Sequence, residues 1–234
     1  MKPRIQLAEA TTPDGGSLTL YAHDGQYKIL LEGRELMHSF STYSEYEMGV
    51  KVASQITETT APRYLVGGLG LGYTLKALLK DLPAIGSVTV AELLPAVVEW
   101  NRTHLRELNG ALLDDPRVIM HTCDVIDLLS KATPDGYDGI LLDIDNGPTA
   151  MVQAGNQRLY SPAGLALIKE VLAPGGIVAF WSASRDKEFE QRLQNSDLIY
   201  DAVPTKAYGA ARRDTYMIYY CRVKSDDVSK DECG

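Results

Sequence analysis

From residue 62 onward the chain repeats one rhythm, a short apolar run followed by a longer amphipathic one. The apolar runs at 64–66, 87–91, 118–121, 139–142 and 177–181 have strand length. The segments 74–80, 96–108, 125–130, 162–172 and 187–194 carry helical spacing. Strands joined by helices through right-handed crossovers lie parallel. The pattern therefore predicts an α/β, Rossmann-like domain whose parallel sheet is covered on both faces. A further helix is expected over 45–59, with Tyr46, Val50, Ala53 and Ile56 on one face. Two antiparallel strands, at 200–203 and 215–222, are expected to close the sheet.

The first forty residues follow another rule. Short strands at 5–10, 17–21, 27–31 and 35–37 alternate with Pro13-Asp14-Gly15-Gly16, Asp24-Gly25 and Glu32-Gly33. Asp-Gly between alternating strands marks a tight hairpin. The expected organisation is a small antiparallel β unit over 1–43, a Rossmann-like catalytic domain over 44–223 and a polar tail over 224–234.

Composition narrows the partners. Of 234 residues 45% are hydrophobic, enough for a buried core, and the net charge of −8 disfavours nucleic acid and anionic membranes while suiting a cationic small molecule. No apolar run is long enough for a transmembrane helix, and the first seven residues lack the apolar core of a secretory signal. Cys123, Cys221 and Cys233 show no pairing pattern, so a reducing, cytoplasmic setting is expected. The four histidines show no metal-ligand spacing, and no metal is expected.

The chemistry concentrates at the carboxyl ends of the strands. The first parallel strand runs into Gly67-Gly68-Leu69-Gly70-Leu71-Gly72. Glycines let a backbone turn sharply and approach a ligand. A dinucleotide loop, G-x-G-x-x-G from Gly68, needs glycine at 73, where this chain has Tyr73. The fit is G-x-G-x-G, the spacing typical of S-adenosylmethionine sites. Glu92 ends the second strand, placed to accept from ribose hydroxyls, and Cys123-Asp124 end the third, with Asp124 placed to accept from an adenine amine. Taken singly, Glu92 also reads as a carboxylate at a helix N-terminus and Asp124 as an N-cap. The fourth strand delivers Asp143 and Asp145 to the rim, on one side if the strand stays extended. Two such carboxylates can hold an ammonium group or take its proton, although Asp145-Asn146-Gly147-Pro148 also reads as a plain turn. Residues 149–161, poor in charge, are a candidate lid. Tyr43, Tyr46, Tyr73, Tyr160, Trp181, Ser182 and Ser184 are candidates to line an acceptor pocket, with packing as the alternative role. His38 is the one histidine near that region.

Over roughly residues 17–195 the chain resembles the spermidine synthase (polyamine aminopropyltransferase) family. Ser44-Glu45-Tyr46-Glu47-Met48 is similar to its "SYQEM" segment, and the stretch from Val66 to Gly72 to its "IGGGDGG" loop. Glu92 and Asp124 match its ribose and adenine carboxylates. Asp143 and Gly147-Pro148 match the ends of "DSSDPxGP", and Leu172-Ala173-Pro174-Gly175-Gly176 its "LKPGG". The resemblance implies a Rossmann-like class I S-adenosylmethionine-dependent transferase fold with a small N-terminal antiparallel β unit, and a homodimer. Gly67, Gly68, Gly70, Gly72, Glu92, Cys123, Asp124 and Asp143 are expected to bind the donor and Asp143 and Tyr46 to act in catalysis, with Asp145 the candidate substitute for the family's second Asp, which has no clear equivalent here.

The departures point elsewhere. The family's loop aspartate, which grips the free amine of decarboxylated S-adenosylmethionine, is Gly70 here. The "DSSDPxGP" motif is shortened, and Glu45 and Tyr46 replace the polyamine-flanking Tyr and Gln, leaving a lining that is still acidic through Glu45 and Glu47. A glycine at 70 removes a repulsion from the carboxylate of intact S-adenosylmethionine, of order ~4 kcal/mol at about 4 Å and an effective dielectric near 20. The expectation is therefore a methyltransferase using S-adenosylmethionine on a small, cationic amine acceptor. The alternatives are an aminopropyltransferase using decarboxylated S-adenosylmethionine and a non-catalytic nucleoside-binding protein.

Overall fold

A computed structural model describes residues 3–144 and 157–224. Four strands open the chain: β1 (Ile5–Thr11), β2 (Ser17–His23), β3 (Gln26–Leu31) and β4 (Arg34–His38). They form an antiparallel meander in chain order. Both residues of the Asp24-Gly25 and Glu32-Gly33 turns are left-handed, with φ of 53°, 78°, 51° and 74°. That is the hand of turn that matches strand twist, so the hairpins close in two residues. Leu18, Leu20 and Ile29 bury one face of this sheet in the main core.

Helix α1 (Tyr43–Gln55) leads into a seven-stranded sheet. Its strands are β5 (Arg63–Gly67), β6 (Ser87–Glu92), β7 (Val118–Thr122), β8 (Tyr137–Leu142), β9 (Leu172–Ser182), β10 (Leu198–Thr205) and β11 (Tyr216–Val223). The order is β10-β11-β9-β8-β5-β6-β7. β5 to β9 pair in parallel, while β11 and β10 add antiparallel at one edge. Between them run α2 (Tyr73–Asp81), α3 (Pro95–Arg102), α4 (Arg106–Asn109), α5 (Val125–Leu129), α6 (Pro162–Val171) and α7 (Lys187–Gln194). Alternation sends Val66 and Leu141 into one core and Leu65, Ile140 and Leu142 into the other. Both faces are thus buried, as a parallel sheet requires. This is the class I S-adenosylmethionine-dependent transferase fold, with the expected small antiparallel sheet before it. Strand order reverses between β5 and β8, and that switch point is where open α/β sheets leave a ligand crevice.

Three local expectations need correction. The helix expected over 96–108 breaks into α3 and α4, because Thr103 leaves helical geometry (φ −116°, ψ −83°) and its hydroxyl bonds back to the Glu99 carbonyl at 2.8 Å. The buried face of α1 is Ser44, Met48, Gly49 and Val52, not the Tyr46 stripe. Gly49 decides this: a Cβ there would lie 2.6 Å from that of Ala77, so α1 and α2 touch through it. Strand β9 starts at Leu172 rather than 177, and a register shift against β8 between Tyr137 and Gly139 absorbs the Pro-Gly-Gly stretch. Among the described residues no helix is long and apolar enough to cross a membrane.

Candidate active site

The glycine loop leaves β5 at the switch point and is held from three sides. Glu92, buried at the end of β6, accepts from the Leu69 and Gly70 N–H groups through Oε2 (2.9 and 3.4 Å) and from Leu94 N–H through Oε1 (2.9 Å). Asn101 on α3 donates to the Gly70 carbonyl at 2.8 Å and is itself buried. The Asp143 N–H donates to the Gly67 carbonyl at 2.8 Å, tying the end of β8 to the end of β5. Gly68 has φ +89°, and a Cβ there would run into the Asp143 carbonyl oxygen. That glycine is required by the protein's own packing, before any ligand is considered.

A cleft opens over this loop. Gly68, Gly70, Glu92, Cys123, Asp124 and Asp143 line it, with Ala91, Leu94, Val97, Val125 and Ile144 as apolar wall. Leu36 and Met37 of β4 also line it, bringing the N-terminal sheet to the site. Asp124 caps α5, its Oδ1 accepting from Ile126 N–H at 2.9 Å, so the capping role and a place in the cleft coexist. Burial and the neighbouring Asp124 and Asp127 push the Cys123 thiol up, which favours the protonated form.

A second cavity adjoins the first, sharing Leu36, Met37, Gly70 and Asp143. Its remaining wall is Glu45, Leu69, Leu71, Tyr73 and Trp181. Here two carboxylates meet. Burial, then the charge of Asp143, raises Glu45 to about 8, against hydrogen bonds from its own backbone and from Ser44. Burial, with Glu92 adding to it, raises Asp143 to about 6 although the Thr74 hydroxyl opposes the shift. The pair is positioned by a chain of contacts: Trp181 Nε1 donates to Ser44 Oγ at 3.0 Å, Ser44 Oγ donates to Glu45 Oε2 at 3.0 Å, and Thr74 Oγ1 donates to Asp143 Oδ2 at 3.0 Å. Like charges so placed bind a proton or another cation near neutral pH.

The expected site residues separate into three groups. Gly68, Gly70, Glu92, Cys123, Asp124 and Asp143 converge on one cleft; Gly67 and Gly72 shape the loop from its two ends, Gly72 as the left-handed N-cap of α2. Tyr46 stands apart, in an outer depression with Phe40, Tyr43, Tyr73 and Tyr208. Asp145 and residues 149–156 of the candidate lid lie outside the described residues. Tyr160 is core, packed against Phe180 and Phe189. Ser182 is buried and donates to the Ser184 carbonyl, and His38 lines neither cavity. No three His, Cys, Asp or Glu side chains among the described residues could hold a metal ion. Met37, Thr74 and Asn101 were not foreseen. Nothing in their sequence neighbourhood marks them, because each acts on a loop or carboxylate distant in the chain.

The crevice, the glycine loop and the carboxylates at successive strand ends belong to a class I S-adenosylmethionine-dependent transferase fold. Within that class the chain belongs to the spermine/spermidine synthase domain family, whose model matches residues 44–200. It is similar to the polyamine aminopropyltransferase of Mycobacterium tuberculosis (strain ATCC 25618 / H37Rv), 34% identical over 147 residues, 62% of this chain and 27% of that one. It is also similar to the spermidine synthase of Dictyostelium discoideum, 32% identical over 118 residues, 50% of this chain and 38% of that one. The chain thus spans about a quarter of the length of the mycobacterial relative. In fold it matches the spermidine synthase of Thermotoga maritima (TM-score 0.69, 16% identity, 95% of this chain and 74% of that one). A spermidine synthase bound to the transition-state analogue AdoDATO gives a TM-score of 0.74 at 17% identity, with the same coverage.

These findings overturn the expectation of a methyltransferase using intact S-adenosylmethionine: the matching family and the named relatives are aminopropyltransferases and spermidine synthases. The physical error lies in the reading of residue 70. Glycine there reports backbone, with φ +52° and Met37 Sδ only 3.3 Å from a would-be Cβ. The cavity beside it keeps an acidic lining, since the carboxyl groups of Glu45 and Asp143 both face it.

Proposed function

We propose that this chain transfers an aminopropyl group from decarboxylated S-adenosylmethionine to a primary amine of a small polyamine. The observation that carries this reading is the pairing of Glu45 and Asp143 beside the glycine loop, a place that favours cationic groups and disfavours a carboxylate. The residues present fit such a donor: carboxylates for hydroxyls and ammonium groups, and an apolar wall for a purine. When bound, the donor supplies a methylene carbon activated by the adjoining sulfonium. The chain's own contribution is mostly positioning. Glu92 orders the loop and accepts from ribose hydroxyls, and Asp124 accepts from the adenine amine. Asp143, at the junction of the two cavities, takes the proton of the acceptor amine so that its lone pair can attack. Burial that lifts this carboxyl to about 6 makes it a better base while leaving it ionised at neutral pH. Tyr46 and its aromatic neighbours form the outer approach for the acceptor.

The division into 1–43, 44–223 and a tail, a homodimer and a cytoplasmic setting complete the proposal. The free thiols of Cys123 and Cys221 support the last of these. The test is a product assay with decarboxylated S-adenosylmethionine and a diamine such as putrescine. The expected products are methylthioadenosine and the aminopropylated amine. Methylation of the amine from intact S-adenosylmethionine, or no turnover with any amine, would refute the proposal.

A further inference from the structure

The family resemblance leaves one position unfilled: the loop residue expected to carry a carboxylate is Gly70. The two cavities show where the charge went. They share Gly70 and Asp143, so a ligand whose nucleoside lies over Glu92 and Asp124 extends across Gly70 into the second cavity. There Glu45 enters from the first turn of α1, a different element from the loop. Its carboxylate is held by Ser44, and Ser44 by the buried Trp181 indole, so it does not swing freely. Among the described residues, Asp143 after β8, Tyr73 on α2 and Tyr216 on β11 face it, and none of these is a cation.

We propose that Glu45 is the specificity-determining residue for the donor, binding the terminal ammonium of its three-carbon tail in place of a loop carboxylate at residue 70. The assignment rests on the aminopropyl reading above and deepens it. It divides the labour of the two carboxylates: Glu45 reads the donor's tail, and Asp143 is left for the acceptor. It also accounts for a glycine at 70 in a chain that needs a cationic tail, because Met37 of β4 packs against the loop where a side chain would project.

Calorimetric titration of the full chain with decarboxylated S-adenosylmethionine, intact S-adenosylmethionine and methylthioadenosine, which has no amine tail, tests this. The wild-type chain is expected to bind the decarboxylated donor at least about ten-fold more tightly than methylthioadenosine, the worth of one charge-assisted contact. Glu45→Gln should erase that margin and leave methylthioadenosine binding within roughly two-fold. Adding Gly70→Asp to Glu45→Gln should restore part of the margin. The left-handed loop backbone tolerates Asp better than most side chains, and the flexible end of Met37 can move aside. If Glu45→Gln keeps the full margin, the assignment is overturned while the aminopropyl reading stands. If Glu45→Gln loses methylthioadenosine binding in parallel, Glu45 supports the whole site rather than the tail, and the assignment is again overturned. If the wild-type chain itself prefers the intact donor, the reading and the assignment fall together.

Discussion

The two cavities meet at Gly70 and Asp143 yet are built in opposite ways. The nucleoside cleft is made by backbone: strand ends, a glycine loop and a carboxylate whose oxygens accept from loop N–H groups. The second cavity adds to the loop side chains from four elements, Met37 of β4, Glu45 of α1, Tyr73 of α2 and Trp181 of β9. The first is ordered by its own hydrogen bonds. The second brings two carboxyl groups together in a buried place, Glu45 bonded by Ser44 and Asp143 by Thr74. On the proposed reading the nucleoside is held in the first cavity and the amines meet in the second, so substitutions in the two should have different effects.

The largest effect is expected at the junction. Asp143→Asn keeps an oxygen for Thr74 but cannot take a proton. Turnover should fall roughly 10³-fold, within the range for loss of a general base, while donor affinity changes by less than about three-fold. Single-turnover rates with calorimetry separate the two. A loss of donor binding as large as the loss of rate would show that the cavities do not divide labour at Asp143.

Glu92→Ala should act next most strongly and on the other side of the division. It frees two loop N–H groups and that of Leu94, and it removes the proposed ribose contact. Hydrogen bonds to a charged group contribute about 1.5–3 kcal/mol, so affinity should drop about 10- to 100-fold. The drop should be equal for decarboxylated donor and methylthioadenosine, because neither tail nor amine is involved. A variant that discriminates between these ligands would place Glu92 in the tail pocket and break the comparison.

The same contrast explains what could be read from sequence. The parallel sheet, the loop and the carboxylates Glu92, Asp124 and Asp143 were legible because each is fixed by local pattern: a strand's end, and the residue just past it. The charge balance around residue 70 was not. It depends on α1 lying against α2 through Gly49, which brings Glu45 over the loop, and on β4 bringing Met37. Residue 70 taken alone does not report the acids around it, since Glu45 and Asp143 both line the adjoining cavity. Tyr46 illustrates the same limit. The motif alone leaves open where the helix sets it, which is the outer depression that also holds Tyr43 and Tyr208.

The smallest expected effect concerns Thr74, and it tests whether the charge in the second cavity is tuned rather than merely present. Its hydroxyl lies within reach of both Asp143 Oδ2 (3.0 Å) and the Glu45 carbonyl (3.4 Å). Donation to Asp143 favours the ionised carboxyl and holds its pKa below where burial and Glu92 would set it. Thr74→Val removes the donor at nearly constant volume, so the pKa should rise further above about 6. The acid limb of kcat/KM, which needs Asp143 ionised, should then move to higher pH by somewhat under one unit, equivalent to ~1 kcal/mol. Stability carries the same sign. A carboxyl whose folded pKa exceeds its unfolded value binds more protons when folded, so stability falls as pH rises through the interval between them. The deficit of Thr74→Val relative to wild type should therefore be small near pH 3.5, where the carboxyl is mostly protonated in both states, and grow to ~1 kcal/mol by about pH 8. Chemical denaturation at both pH values measures it. A deficit that does not change with pH would mean that Thr74 only packs α2, and that the charge beside the glycine loop is set by burial alone.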